Sequence, residues 1–221
     1  MFNKIYSWFH RKTSSPDQEG EYSAGFWQEK VRRSAVGFLR GQQGNILEIG
    51  CGEGLFLLEL SRENPQAQIF GIDFSRERLK QAEEKINKEG LNNIHLSCQE
   101  APRIDFEEGK FDAVACVNVF FNMPSLSIIK ETLLQARRVL KKDGKLVFDF
   151  RNSLNPLLLL KFSLARFYDP TIKGLPLKTY SPAVIENALA ESGFEILRSE
   201  FISAFLFKIF APVIVIEAKK R

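Results

Sequence analysis

Residues 45–56 read N-I-L-E-I-G-C-G-E-G-L-F. Ile46, Leu47 and Ile49 make a short apolar, β-branched run of the kind that fills a buried strand. Gly50, Gly52 and Gly54 follow at every second residue, and from Leu55 the apolar spacing suits a helix. Glycines so closely set are entropically expensive, so the position demands a bare backbone. The usual reason, where a strand passes into a helix, is a ligand lying against the main chain.

Outward from this stretch the pattern alternates. Strands are expected over 45–50, 68–73, 93–98, 111–118 and 145–150. Helices are expected over about 54–63, 75–89 and 125–141. Ser75 and Ser125 stand as N-caps, Gly90 as a C-cap, and Asp143-Gly144 as the turn after the third helix. Residues 151–180 read as an irregular insertion, with Pro156, Pro170, Gly174 and Pro176 around the apolar run Leu157 to Leu160. Ser181-Pro182 opens a helix to about 192, and strands over 194–202 and 212–218 form an antiparallel pair. The expected fold is α/β: a doubly wound, mostly parallel seven-stranded sheet, helices on both faces, with a C-terminal antiparallel strand pair. Ahead of it lie an aromatic and basic segment (1–12), a polar link (13–21) and a helix over about 24–40 with Trp27, Val31, Ala35 and Phe38 on one face.

Composition narrows the class. With 44% hydrophobic and 26% charged residues the chain is ordinary for a globular protein. Net charge is +4, and residues 1–40 supply most of it, with seven Lys/Arg against four acids. That excess is too small to argue for nucleic acid. Cys51, Cys98 and Cys116 show no metal-ligand spacing, so no metal is expected, and an odd count favours a reduced, cytoplasmic protein. No run is long enough for a transmembrane segment, and the N-terminus lacks the pattern of a signal peptide.

The ligand of the glycine loop is narrowed by its neighbours. Dinucleotide loops read G-x-G-x-x-G, whereas here the spacing is G-x-G-x-G and Leu55 stands where the last glycine belongs. Glu48 precedes the loop; a carboxylate there disfavours a phosphate and suits a ligand with an amino group and a positive centre. Asp73, 19 residues past Gly54, ends the second strand. It reads either as a cap on the next helix or as the acceptor for both hydroxyls of a ribose. No G-x-x-x-x-G-K-[ST] run is present.

Four stretches in register, E-I-G-C-G-E-G-L-F, G-I-D-F-S, Q-E-A-P-R-I-D-F-E-E-G-K-F-D-A-V and V-L-K-K-D-G-K-L-V-F, resemble the class I, Rossmann-like S-adenosylmethionine-dependent methyltransferases over about residues 40–150. The stretch Y-S-P-A-V-I-E-N-A-L-A-E-S-G-F-E-I is similar to that family's last helix and sixth strand. The resemblance implies that residues 41–221 form the methyltransferase domain, with a lid-like insertion at 151–180, and that 1–40 form an arm and cap helix. It implies S-adenosyl-L-methionine as cofactor. Gly50, Cys51 and Gly52 would lie against its methionine part, with Glu48 at the amino group. Asp73 would take the ribose and Phe74 the adenine face. Glu100, where the family more often has Asp, would lie near the adenine amino group beside Ala101. Asn118 would lie near the transferable methyl.

Methyl transfer from a sulfonium is an in-line displacement that depends chiefly on alignment. His10, in the N-terminal segment, and His95, in the third strand and expected inside the sheet, are the only histidines, and neither is placed as a base. Many members of the family carry a histidine after the fourth strand; here the residues are V-F-F-N-M-P, which leaves the catalytic base unassigned. The Asp/Asn-Pro-Pro-aromatic motif of amino-directed nucleic-acid methyltransferases is absent. Acceptor contacts are expected from Phe121, Asn122, Arg151, Phe167 and Tyr168, with Asn152 beside them; Arg151 reads alternatively as the partner of Asp149. Leu157 to Leu160 with Phe162, Leu164, Phe167 and Tyr168, flanked by Lys161 and Arg166, reads as a helix packed on the domain, as an apolar acceptor pocket, or as a membrane-facing lid. Residues 1–12 offer a second place for peripheral membrane contact. The expectation is a methyltransferase for a small, apolar or lipid- or glycan-linked acceptor. An RNA or protein acceptor, or a non-catalytic protein of the same fold, are the alternatives.

Overall fold

The computed structural model describes residues 26–168, 176–202 and 208–221, with the side chains of Phe26 and of 164–168 outside the description. The expected arm and link over 1–21 lie outside the described residues, as do the side chains of Phe167 and Tyr168.

Helix α1 (Phe26–Leu39) leads into β1 (Asn45–Ile49). Then come α2 (Leu55–Glu63), β2 (Gln68–Asp73), α3 (Arg76–Glu89), β3 (Ile94–Cys98) and β4 (Phe111–Cys116). A 3-10 turn, Phe120–Asn122, precedes α4 (Leu126–Val139) and β5 (Leu140–Arg151). The chain closes with α5 (Pro156–Tyr168), α6 (Pro182–Glu191), β6 (Phe194–Ile202), a second 3-10 turn (Lys208–Phe210) and β7 (Val213–Lys220).

The seven strands form one sheet in the order β3-β2-β1-β4-β5-β7-β6. All are parallel except β7, which runs antiparallel between β5 and β6. The strand order reverses between β1 and β4, and a crevice opens beyond the carboxyl ends of parallel strands at such a point. The fold is therefore the doubly wound sheet expected from the alternation.

Side chains alternate across the strands, and each face has its own core. Leu47, Ile49, Val114 and Phe148 pack with Ile129 and Leu133 of α4 and Ile185 and Leu189 of α6. Ile46, Ala113, Ala115 and Val147 pack on the other face with Val31 and Ala35 of α1, Leu57 and Leu60 of α2, and Leu79 of α3. Burial on both faces explains the apolar runs of β1 and β4 and of Leu146 to Phe148 within β5.

Local signals account for the helix ends. Ser75 accepts the Arg78 N–H and Ser125 accepts the Ile128 N–H, as the caps require. Ser181 makes no such side-chain bond, and Pro182 alone sets the start of α6. Three expectations are corrected. The Asp143-Gly144 turn lies within β5: Phe111 pairs with Leu140 and Ala113 with Lys145, and the intervening residues bulge out with Asp143 at φ +64°. The strand carrying His95 lies at the sheet edge, so His95 is exposed and bonds Gln68 at 2.9 Å. The insertion is not wholly irregular. It contains α5, begun by Asn155, whose Oδ1 accepts the Leu158 N–H at 2.6 Å, followed by Pro156 in the first turn. Among the described residues no helix is long and apolar enough to cross a membrane.

Candidate cofactor cleft

The glycine loop is tied to the end of β2. Gly50 and Cys51 both donate their N–H to the Ile72 carbonyl, at 2.7 and 2.9 Å. Gly50 has φ +76°, and a Cβ there would lie 2.6 Å from Val119 Cγ2. Gly52 differs: its φ is +51°, and a Cβ would meet nothing within 4 Å. The first glycine is thus required by the protein's own packing. The second leaves space beside the backbone.

Asp73 joins this loop to α3. One carboxylate oxygen accepts the Gly52 N–H and the other the Ser75 N–H, both at 2.9 Å. The residue is buried yet lines the cleft. Ser75, and not Asp73, caps α3, and each Asp73 oxygen retains a second lone pair. Phe74 follows with 72% of its surface exposed, although it is fully apolar.

Glu48 is buried on the α1 and α2 side of β1. Burial, and then the negative charge of Asp73, hold its carboxyl well above the usual range, while Arg32 pulls the other way. Its Oε2 has no hydrogen-bond partner among the described residues. Cys51 is buried too, and burial together with Glu48 and Asp73 pushes its thiol up. It packs near Gly71 and is unsuited to act as a nucleophile.

The cleft at the β1/β4 switch point has a volume of about 310 Å³. Of the expected cofactor residues it brings together Gly50, Asp73, Phe74, Glu100, Ala101 and Asn118. Glu48, Cys51 and Gly52 do not line it; the first two lie in the core behind the loop. Of the expected acceptor residues Asn122 lines it, and its Oδ1 is buried without a partner among the described residues. Arg151 and Phe121 lie beneath the floor. The guanidinium stacks 4.3 Å from the Phe121 ring centroid and donates to Asp149 at 2.7 Å and to Asn118 Oδ1 at 2.9 Å. Asn152 is buried and turned toward 209–211.

Asn118 itself adopts φ +59°, and its N–H donates to Asp149 Oδ1. The loop from Phe120 to Ser125, which the sequence offers for acceptor choice, supplies Met123 and Pro124, while Val119 and Ile128 were missed; the four add an apolar wall on the β4 side. Their types carry no chemical signal, and only the turn after β4 places them. Sequence reasoning also missed Tyr180, whose hydroxyl is buried without a partner among the described residues. A wider depression of about 590 Å³ between α1 and β6, lined by Lys30, Arg33 and Arg198, shares no residue with the cleft.

The fold is one that methyltransferases share. Residues 46–144 match a family model described as a methyltransferase domain. The chain is 29% identical over 181 residues to a phosphatidylethanolamine N-methyltransferase of Cereibacter sphaeroides, covering 80% of this chain and 83% of that protein. It is 33% identical over 155 residues to a ubiquinone/menaquinone biosynthesis C-methyltransferase of Geotalea uraniireducens, covering 66% of this chain and 63% of that protein. The crystal structure of magnesium protoporphyrin IX methyltransferase from Synechocystis, with bound SAH, matches all of this chain and 96% of its own length, with a TM-score of 0.69 and 19% identity. Family model, relatives and structural neighbours together support a class I S-adenosylmethionine-dependent methyltransferase.

Proposed function

We propose that this enzyme transfers a methyl group from S-adenosylmethionine to an apolar small molecule of lipid or quinone type. The observation that carries the reading is the two-sided cleft. Its β2 and β3 side presents Asp73 and Glu100, and its β4 side, Asn118 to Ile128, presents no ionisable side chain. The two relatives named above, one for a phospholipid headgroup and one for quinones, agree with an acceptor of that kind.

The chain's residues fit the cofactor in four ways. The unpartnered Oε2 of Glu48 suits an ammonium at the end of β1. The open space at Gly52 admits a ligand chain against the backbone. Asp73, fixed by two N–H donors, has lone pairs left for ribose hydroxyls, and the exposed Phe74 ring suits an adenine face. When bound, the cofactor supplies an electrophilic methyl on a cationic sulfur. The protein's task is then alignment. Asn118, locked by Asp149 and Arg151, fixes the wall nearest the transfer point. The free Oδ1 of Asn122 orients an acceptor N–H or O–H. No ionisable base on the β4 side is needed where the acceptor attacks as a neutral amine, whose methylated product gives its proton to water; a ring carbon would also have to pass its C–H proton to solvent.

The test is transfer of a labelled methyl from S-adenosylmethionine into a total lipid extract, followed by chromatography. Label in an aminophospholipid or a quinone is the expected result. Label only in the protein or nucleic-acid fraction would reject the reading.

A further inference from the structure

Two segments distant in sequence are fastened side by side at the carboxyl end of β5. The buried Asn152 donates its Nδ2 to the carbonyls of Ile209, at 2.9 Å, and Ala211, at 3.0 Å. The buried Asn155 donates to the Phe210 carbonyl while capping α5. These two amides fix residues 208–211 against the first turn of the helix. Leu158 forms the inner side and is fully buried.

What the joined segments present outward is apolar. Leu157 is 59% exposed, Leu160 55% and Ile209 58%, with Leu154, Leu159 and Phe210 exposed beside them. One exposed leucine is ordinary; six large apolar side chains on two segments pinned together are not. The first turn of α5 buries Leu158 and leaves Leu157, Leu159 and Leu160 in water, so it is apolar on every side and suits a cover.

We propose that this face docks on an anionic phospholipid bilayer. The argument for that occupant is charge. The described part of this face, residues 152–163 and 208–211, carries Lys208 and Lys161, the latter 4.7 Å over the Trp27 ring, and no acid. Apolar side chains interspersed with cations and free of carboxylates suit a negatively charged lipid interface. Position agrees. Arg151, at the end of β5, pairs with Val213 and also holds Asn118 of the cleft. A bilayer seated on this face therefore lies at the same end of the sheet as the cleft. Resting on the proposed function, this makes the bilayer the source of the acceptor, which then need not cross water.

The experiment is co-sedimentation of the full chain with vesicles of phosphatidylcholine, with and without phosphatidylglycerol. The comparison is a triple variant Leu157→Ser, Leu160→Ser and Ile209→Ser, with Lys208→Glu as a separate charge arm. Wild type is expected to bind the anionic vesicles and to release them as salt rises. The triple variant should bind roughly tenfold more weakly or worse, and Lys208→Glu should lose part of the preference for anionic lipid. All three side chains are exposed, so thermal denaturation and calorimetry with S-adenosylhomocysteine should be unchanged in the variant. Undiminished vesicle binding by the triple variant overturns the proposal and moves lipid contact elsewhere, residues 1–12 included. So does absence of vesicle binding by wild type, or a wild-type dimer that the triple variant dissociates. None of these readouts uses methyl transfer, so failure here is distinct from failure of the proposed function.

Discussion

Arg151 donates to the Asp149 carboxylate at 2.7 Å, and both side chains are shut away from water. The same guanidinium reaches Asn118 at 2.9 Å, and the second oxygen of Asp149 takes the Asn118 N–H. This closed arrangement of two β5 residues and one residue after β4 holds Asn118 in the left-handed region at the edge of the cleft. Burial pushes the Asp149 carboxyl up, opposed chiefly by Arg151. Replacing Arg151 with Met leaves a buried carboxylate unpaired, and a loss of about 3–5 kcal/mol in unfolding free energy is expected. Urea denaturation measures it. A loss under about 1 kcal/mol would mean that the pair does not hold the turn.

Gly50 and Gly52 should lose stability for different reasons under the same change. Alanine at Gly50 drives its Cβ into Val119 and should lower the thermal midpoint by several degrees, at about 1–3 kcal/mol. A Cβ at Gly52 meets nothing within 4 Å, so for alanine only the strained φ counts against the fold, at about 1–2 kcal/mol. Calorimetry with S-adenosylhomocysteine should nevertheless find binding by Gly52→Val abolished. Normal affinity in that variant would mean the loop is not where the ligand lies.

Asp73→Ala removes the shared acceptor of Gly52 and Ser75 together with the proposed ribose contact. Each hydrogen bond to a charged group is worth about 1.5–3 kcal/mol, so affinity for S-adenosylhomocysteine should fall roughly a hundredfold. Equal affinity of wild type and variant would exclude Asp73 from the site.

Phe74→Ala separates binding from folding. The ring is mostly in water, so its removal should shift stability by no more than about 0.5 kcal/mol. Loss of an aromatic stacking partner should still weaken the cofactor analogue by about 1 kcal/mol, or several-fold. A large drop in thermal midpoint with unchanged affinity would reverse that assignment.

Glu48 sets a pH dependence. Burial first, then Asp73 and Glu59, raise its folded pKa above the unfolded value, with Arg32 opposing. Native Glu48 therefore keeps its proton to higher pH than the unfolded chain does. Its contribution is complete below the unfolded value of about 4.3 and is lost as pH rises through the raised folded value. Glu48→Gln removes this loss, so the variant should gain stability relative to wild type between about pH 5 and pH 8. Urea midpoints at both pH values decide it; a constant difference would show that Glu48 does not titrate in this range.

The alternation of apolar strands and capped helices, and the glycine loop after β1, were legible because they rest on local chemistry. A parallel strand buried on both faces must be apolar throughout, and a cap must be a short polar side chain. These determined the doubly wound sheet and the place of Gly50 and Asp73 at the strand ends, whereas Glu100 and Asn118 were reached only through the resemblance to the methyltransferases. Tertiary structure alone decided the fate of Arg151, because sequence places it after β5 but not beneath Phe121. It decided that Gly50 is needed by Val119 while Gly52 stands open, since only packing distinguishes two glycines in one loop. It also decided that Leu157 and Ile209 share a face. Asn152 and Asn155 make that join by bonding backbone carbonyls, and a carbonyl is the same at every residue, so the pairing leaves no trace in the order of side chains.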